Sequence, residues 1–261
     1  MKSQTYKISF PYKDLLIAWT TRILSARYQQ SILGGLWAVV QPAASAAILT
    51  VIFTMFLKVD TGEIPYLVFS YSALVPWIFF SSSISDMVDS IVSNMNLVGK
   101  IYFPRDILVF SALLARMLDF SIAFCVLIII MLFYRMPVFT VNWLFIPVIL
   151  AVQMALGLGL GLAGAALNVF YRDVKHLLGL FLQLWFYATP IIYPLTLVPD
   201  WLRPFYVLNP MAGVIASYRD VLLYGTMPGS SLLVAAALAL IVLFAGYQFF
   251  KRVEIKMADV I

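Results

Sequence analysis

The sequence predicts an all-α integral membrane protein with six spanning helices, and three observations carry that prediction. First, 63% of the 261 residues are hydrophobic and 11% are charged, against about 45–50% and about 25% in a soluble globular domain. So few charges cannot cover a surface that faces water all round, and the mean hydropathy of +0.98 agrees. Second, the charges collect between apolar runs of roughly 20 residues, the length an α-helix needs to cross a bilayer core of about 30 Å. Third, the runs do not alternate polar with apolar as the strands of a membrane barrel would. Backbone groups in hydrocarbon need internal partners, so helices are the solution that remains.

Residues 1–36 read as a cytoplasmic amphipathic interface segment. Lys2 and Lys7 are followed by Pro11, Tyr12, Lys13 and Asp14, not by the apolar core of a signal peptide. Over 14–30, Leu15, Leu16, Trp19, Ile23 and Ala26 recur at helical spacing, with Thr21, Arg22, Ser25 and Gln29 opposite. Such a helix lies in the membrane surface. The stretch RYQQSILGGLWAVVQP at 27–42 is then the corner where the chain turns and dives. Gly34 and Gly35 supply the bend, Trp37 sits at the interface, and Pro42 can kink the span.

The spans fall at 37–57, 66–85, 111–134, 143–170, 177–196 and 231–250, giving a transmembrane domain over 37–250 and a cytoplasmic tail over 251–261. An even number of crossings puts both termini on one side. With that side cytoplasmic, Lys2, Lys7, Lys13, Arg22, Arg27, Lys100, Arg105, Arg172, Lys175, Lys251, Arg252 and Lys256 lie inside. Lys58, Arg135, Arg203 and Arg219 lie outside, and Arg116 sits near the inner end of the third span. Twelve cations against four obey the positive-inside rule.

Two connections are unusual. The cytoplasmic loop 86–106 contains Leu97, Val98, Ile101, Tyr102 and Phe103, too apolar for a connector that meets only water. It either contacts another protein or the bilayer surface, or tucks under its own bundle. The outer region 197–230 belongs to a stretch, 190–228, that holds six of the thirteen prolines. Asn209-Pro210 reads there as a helix start and Gly225 as a stop. The helix between is apolar but too short to span, hence re-entrant or interfacial.

Known chemical motifs are sparse. Gly157, Gly159, Gly161 and Gly164 lie within a span and lack the strand a dinucleotide loop requires; Gly157 and Gly161 read as a small-residue packing face. No G-x-x-x-x-G-K-[ST] occurs. Cys125 is a lone apolar filler, and His176 stands in a charged turn without a metal-ligand set. The net charge of +5 is spread over short loops, which argues against nucleic acid. Arg116 and Asp119 share a helical face, as a structural ion pair or as part of a polar pathway. Tyr66, Trp185, Tyr187, Tyr193 and Trp201 fit an interfacial belt, or the walls of a pathway for a bulky amphipathic substrate such as a sugar chain.

Four stretches together carry a family resemblance: RYQQSILGGLWAVVQP (27–42), NLVGKIYFPRD (96–106), FYRDVKH (170–176) and NPMAGVIASYRDVLLYG (209–225). In that order, from about residue 10 to the C-terminus, the chain resembles the membrane permease subunits of ABC-2-type polysaccharide exporters. That group handles O-antigen, capsular polysaccharide and teichoic acid. The resemblance implies a homodimer in the bacterial inner or plasma membrane, working with two copies of a separate cytoplasmic ABC ATPase. ATP and Mg would belong to that partner, with no cofactor or metal on this chain, and the cargo would be a polysaccharide or lipid-linked glycan. It places an amphipathic helix at 14–30 and outer re-entrant helices within 197–225. ATPase docking would involve Asn96, Leu97, Lys100, Ile101, Tyr102, Phe103 and Arg105. An exporter of drugs or lipids would share this plan. A membrane-embedded glycan-modifying enzyme would need converging acids or a histidine, and Asp86, Asp89 and His176 offer little.

Overall fold

The structure, a computed structural model, describes residues 11–29, 34–59, 61–98 and 103–257. All regular elements among them are helical. Five helical stretches are long and apolar enough to cross a membrane: Gly34–Phe56, Tyr66–Ser90, Asp106–Phe133, Val141–Phe170 and Ser231–Glu254.

Helix α1 (Tyr12–Gln29) covers the segment expected to be an amphipathic surface helix, and its tryptophan packs inside the chain. Trp19 is buried, with its ring stacked on Phe103 at 6.1 Å between centroids and the Arg22 guanidinium 4.6 Å from its ring centre. The ring thus has an aromatic partner on one side and a cation near its face. The chain is next described at Gly34, whose φ of +48° is a left-handed conformation that glycine adopts without a Cβ clash. A 3₁₀ turn (Gly34–Leu36) leads into α2 (Trp37–Val51), which ends in a π turn over Ile52–Phe56.

Helix α3 (Tyr66–Ser90) is the centre of the bundle: 78% of its apolar window is buried, against 11% for Gly34–Phe56. It continues past the expected end at 85, so Asp86 and Asp89 belong to the helix and not to the loop. The short α4 (Met95–Val98) follows, and then α5 (Asp106–Phe133). Helix α6 (Ile146–Phe170) clamps α3 by donating from Gln153 Nε2 to the Pro76 carbonyl at 2.7 Å and from Asn168 Nδ2 to the Val88 carbonyl at 3.0 Å. Both amides are buried, where hydrogen bonds between helices replace hydration.

The glycines of α6 divide their work differently from the expected Gly157–Gly161 face. A Cβ on Gly161 would collide with Met87 and one on Gly164 with Val88, both on α3. The closest backbone approach is made by Gly159 with Gly246 of α10 (Ser231–Met257), where a Cβ on either would overlap main-chain atoms of the other helix. Gly157 has ordinary contact distance to the Phe80 ring, 3.7 Å.

The expected span over 177–196 is shorter than foreseen. Helix α7 runs only from Val174 to Tyr187, 14 residues, or about 21 Å at 1.5 Å per residue. Pro190 and Pro194 remove backbone donors just beyond it, which explains the stop. The chain at Thr189, Pro190 and Ile191 is nonetheless buried, and irregular backbone at that depth needs partners. Arg219 supplies them, donating from Nη1 to the Pro190 carbonyl and from Nη2 to the Ile191 carbonyl, both at 2.7 Å, with its guanidinium 3.7 Å from the Phe69 ring centre. Arg219 lies on α9 (Pro210–Leu222), which follows the single-turn α8 (Arg203–Val207).

Asn209 caps α9 as anticipated, its Oδ1 accepting from the backbone of Met211 at 3.1 Å and Ala212 at 3.3 Å. The same Oδ1 accepts from Trp185 Nε1 at 2.9 Å, and Nδ2 donates to Thr189 Oγ1 at 3.1 Å. One side chain therefore ties the start of α9 to the end of α7. At its other end α9 stops at Leu222, three residues before the expected Gly225. Gly225, with φ +62°, turns the chain after the helix, and its carbonyl accepts from Asn142 in the turn between α5 and α6.

Candidate functional site

Helices α2, α3 and α7 line an open cleft made of three pockets that share walls. The first, about 270 Å³, lies beside Lys175, His176 and Ser85. It shares Ser85 and Gly179 with a second of about 360 Å³, bounded by Ser81, Ser82, Arg116, Gln183 and Tyr187. Trp77, Ser81 and Phe186 carry that one into a third of about 410 Å³, which reaches Gln41 and Ser45 on α2. The lining is mixed. Ser81 and Ser85 are four residues apart and so share one face of α3, with Trp77 a turn above. Gln183 projects from α7, and aromatic faces alternate with these hydroxyls and amides. Polar side chains within spans are costly unless they face protein or water, and here they face one another across the cleft.

Behind Arg116 lies a network that sequence spacing did not reveal. Arg116 and Asp119 do pair, Nη1 to Oδ2 at 3.1 Å. Arg116 also holds Asp86 of α3 in a fork, Nε to Oδ2 at 2.7 Å and Nη2 to Oδ1 at 3.0 Å. Arg27 of α1 bridges the same two carboxylates, reaching Asp86 at 2.6 Å and Asp119 at 2.8 Å. Tyr28 donates to the other oxygen of Asp119. Burial, and then that hydrogen bond, push the Tyr28 hydroxyl up to about 12. Two arginines and two aspartates thus join α1, α3 and α5 with no net charge. A smaller cavity of about 110 Å³, apolar above towards Phe79 and Phe120, sits on this floor beneath the Gly34 corner.

A second cluster joins the end of the 86–106 loop to the last helix. Arg105 Nη1 donates to the Glu254 carbonyl at 2.7 Å, and Lys251 bridges Asp106 at 2.9 Å and Glu254 at 3.0 Å. Asp106 is buried at the first turn of α5. Burial, reinforced by the Asp106 charge, pushes the Tyr12 hydroxyl up to about 12.

The site residues expected from sequence scatter accordingly. Asn96 is exposed on α4, Phe103 lies against Trp19, and Arg105 is engaged with Glu254. Leu97 belongs to α4, while Lys100, Ile101 and Tyr102 lie outside the described residues. Tyr66 is buried, donating to the Ile192 carbonyl at 2.7 Å. Trp185 is spent on Asn209, and the Tyr193 and Tyr206 hydroxyls pair at 2.6 Å. Tyr187 and Trp201 are exposed, and Tyr187 alone of the five nominated aromatics lines the cleft described above. The serines of α3 and Gln41, Ser45 and Gln183 were missed. Their signal was present as polar residues interrupting apolar spans.

Long apolar helices packed around a polar cleft define a multi-pass membrane protein. The chain belongs to the ABC-2 type transporter family, whose description it matches over residues 14–223. It is 30% identical to the O-antigen export system permease protein RfbA of Klebsiella pneumoniae over 249 residues, 95% of each chain. It is likewise 30% identical to the protein of that name from Myxococcus xanthus over 254 residues, 96% of each. The polysialic acid transport protein KpsM of Escherichia coli is 25% identical over 236 residues, 89% of this chain and 91% of that one.

Proposed function

We propose that this chain is the permease subunit of an ATP-driven exporter that carries a polysaccharide out of the cytoplasm. The cargo would be a lipid-linked glycan of the O-antigen, capsule or teichoic-acid kind. The observation that carries the reading is the match, over nearly the full length of both chains, to permeases of O-antigen export. Two copies of this chain work with two copies of a separate ABC ATPase, which binds the ATP and Mg. Gln41, exposed where the cleft reaches α2, suits a face covered by a second copy or by water better than one bathed in lipid.

In this reading α7 and the Arg219-held segment after it complete a sixth crossing, and both termini lie in the cytoplasm. The Lys175 end of the cleft then opens inward, and α8–α9 form the re-entrant outer hairpin. An ATPase pressing on the 86–106 loop acts on a segment gripped at both ends. Arg27 of α1 holds Asp86, and Trp19 of α1 holds Phe103. Displacing the loop moves α1, and through the Gly34 corner it moves α2, which walls the cleft. Packed elements of this kind shift between discrete arrangements. The cleft's hydroxyls and rings give weak, repeated sites along which a polymer advances, since a tight site would stall it. Tyr187 offers such a surface within the cleft and Trp201 beyond it, while Trp185 and Tyr193 hold the walls in place.

The test is co-purification with an ATPase subunit, followed by reconstitution in vesicles. A lipid-linked glycan should stimulate hydrolysis. ATP turnover by the isolated chain, or a complex indifferent to any glycan, contradicts the proposal.

A further inference from the structure

Relatives of this chain carry names that imply cargoes of different charge, one of them a polymer of an acidic sugar. Building on the export reading above, we infer that this cleft is matched to an uncharged, hydroxyl-rich stretch of glycan and discriminates against one bearing carboxylates.

Two independent observations lead there. The first is that the cations along the cleft are already committed. Arg116 spends Nε and Nη2 on both oxygens of Asp86 and Nη1 on Asp119, and Arg27 balances the second carboxylate. Lys175, at the other end, holds Asp89 at 3.0 Å. His176 lies beside it. A sugar carboxylate entering this space finds Arg116 and Lys175 already paired, and it gains a counter-charge only by pulling one of them away from its aspartate.

The second observation concerns which partners the hydroxyls seek. Ser85 donates its proton to the Ser81 carbonyl at 2.9 Å, and Ser81 donates to the Ile78 carbonyl at 3.4 Å. What these oxygens present to the cleft is lone pairs. A sugar hydroxyl can donate to them, whereas an ionised carboxylate has no proton to give. The Trp77, Phe186 and Tyr187 rings supply the flat apolar surface that the C–H face of a neutral pyranose covers. Gln183 and Gln41 add amides that both donate and accept, as a sugar hydroxyl does and an ionised carboxylate does not. A neutral lining and cations already paired therefore point to the same cargo.

The experiment uses the full chain with its ATPase partner in vesicles. One polyprenyl-pyrophosphate carrier bears either a neutral hexose oligomer or a sialic acid oligomer of equal length. The neutral form should half-maximally stimulate ATP hydrolysis at a concentration at least about ten-fold lower, the scale of one unmatched charge-assisted hydrogen bond. Asp89→Asn, which frees Lys175 on a solvent-accessible pair, should narrow that gap several-fold. Asp86→Asn should do the same, but it also weakens the anchoring of α1, so Asp89→Asn is the decisive variant. Equal or better stimulation by the acidic oligomer overturns the inference while leaving the export function intact, as does a gap that Asp89→Asn leaves unchanged. Failure of both oligomers in an assembled, hydrolysing complex overturns the export reading itself.

Discussion

Replacing Arg27 with alanine should loosen α1 from the bundle without unfolding the spans. The side chain makes two charge-assisted hydrogen bonds, to Asp86 at 2.6 Å and Asp119 at 2.8 Å. Such bonds contribute about 1.5–3 kcal/mol each when well shielded. Here the three side chains keep 24%, 28% and 17% of their surface exposed, and Arg116 remains to hold both carboxylates. The lower end applies, about 2–3 kcal/mol in all. If α1 exchanges its amides through undocking, that loss accelerates exchange about 30- to 150-fold. Hydrogen exchange on the full-length protein in lipid nanodiscs reads this directly, with peptides of α6 as the internal reference. Arg27→Lys keeps the charge but loses the fork, so it should show an intermediate effect. Unchanged exchange in α1 for Arg27→Ala would refute the reasoning, and so would an equal rise in α6, which would mean general destabilisation.

Four further outcomes follow from the geometry. Gly159→Ala should lower the melting temperature by an amount equivalent to about 1–3 kcal/mol, because the new methyl meets the α10 backbone. Gly157→Ala, with room beside Phe80, should be neutral or slightly stabilising. Arg219→Met leaves the Pro190 and Ile191 carbonyls without their donors, at about 1–3 kcal/mol for each buried orphan; proteolysis between Thr189 and Pro199 should quicken, and an unaltered cleavage rate counts against the stapling role. Tyrosines in an unfolded chain ionise near pH 10, while Tyr28 keeps its proton to about 12. The folded state binds the proton more tightly, so this contribution is complete below pH 10 and is lost between 10 and 12. Tyr28→Phe should show a smaller fall in melting temperature across that window.

Local chemistry was the legible part of the sequence. Asn209 and Pro210 start α9, and Gly225 turns the chain three residues after its end, because caps and left-handed turns depend on a few adjacent residues. Arg116 and Asp119 were found because three residues separate them on one helix. Their partners Arg27 and Asp86 were not, since Arg27 stands 92 positions from Asp119 and 59 from Asp86, and no periodicity reports such distances. The fifth apolar run looked long enough to span because hydropathy does not register that Pro190 ends the helix and that a buried arginine on another element rescues the backbone. The glycines of α6 were recognised as packing residues, yet which of them meets α10 depends on Gly246, 87 positions after Gly159 in the chain and so invisible to the reading of one helix. The serines of α3 were visible as polar intrusions, but only the placement of α2 and α7 makes them a cleft.

The central claim is that a glycan travels along the α3 face between α2 and α7, and a chemical plug tests it most directly. Cys125 is exposed and is first replaced by serine; a single Ser85→Cys change then puts a thiol where two of the cavities meet. A matched Ile129→Cys variant carries the thiol on the exposed side of α5, outside the cleft lining. After labelling with a bulky maleimide, the Ser85→Cys protein should still assemble with its ATPase but cease to export glycan, while the labelled Ile129→Cys protein exports as before. Export by the labelled Ser85→Cys protein at its unlabelled rate would contradict the account.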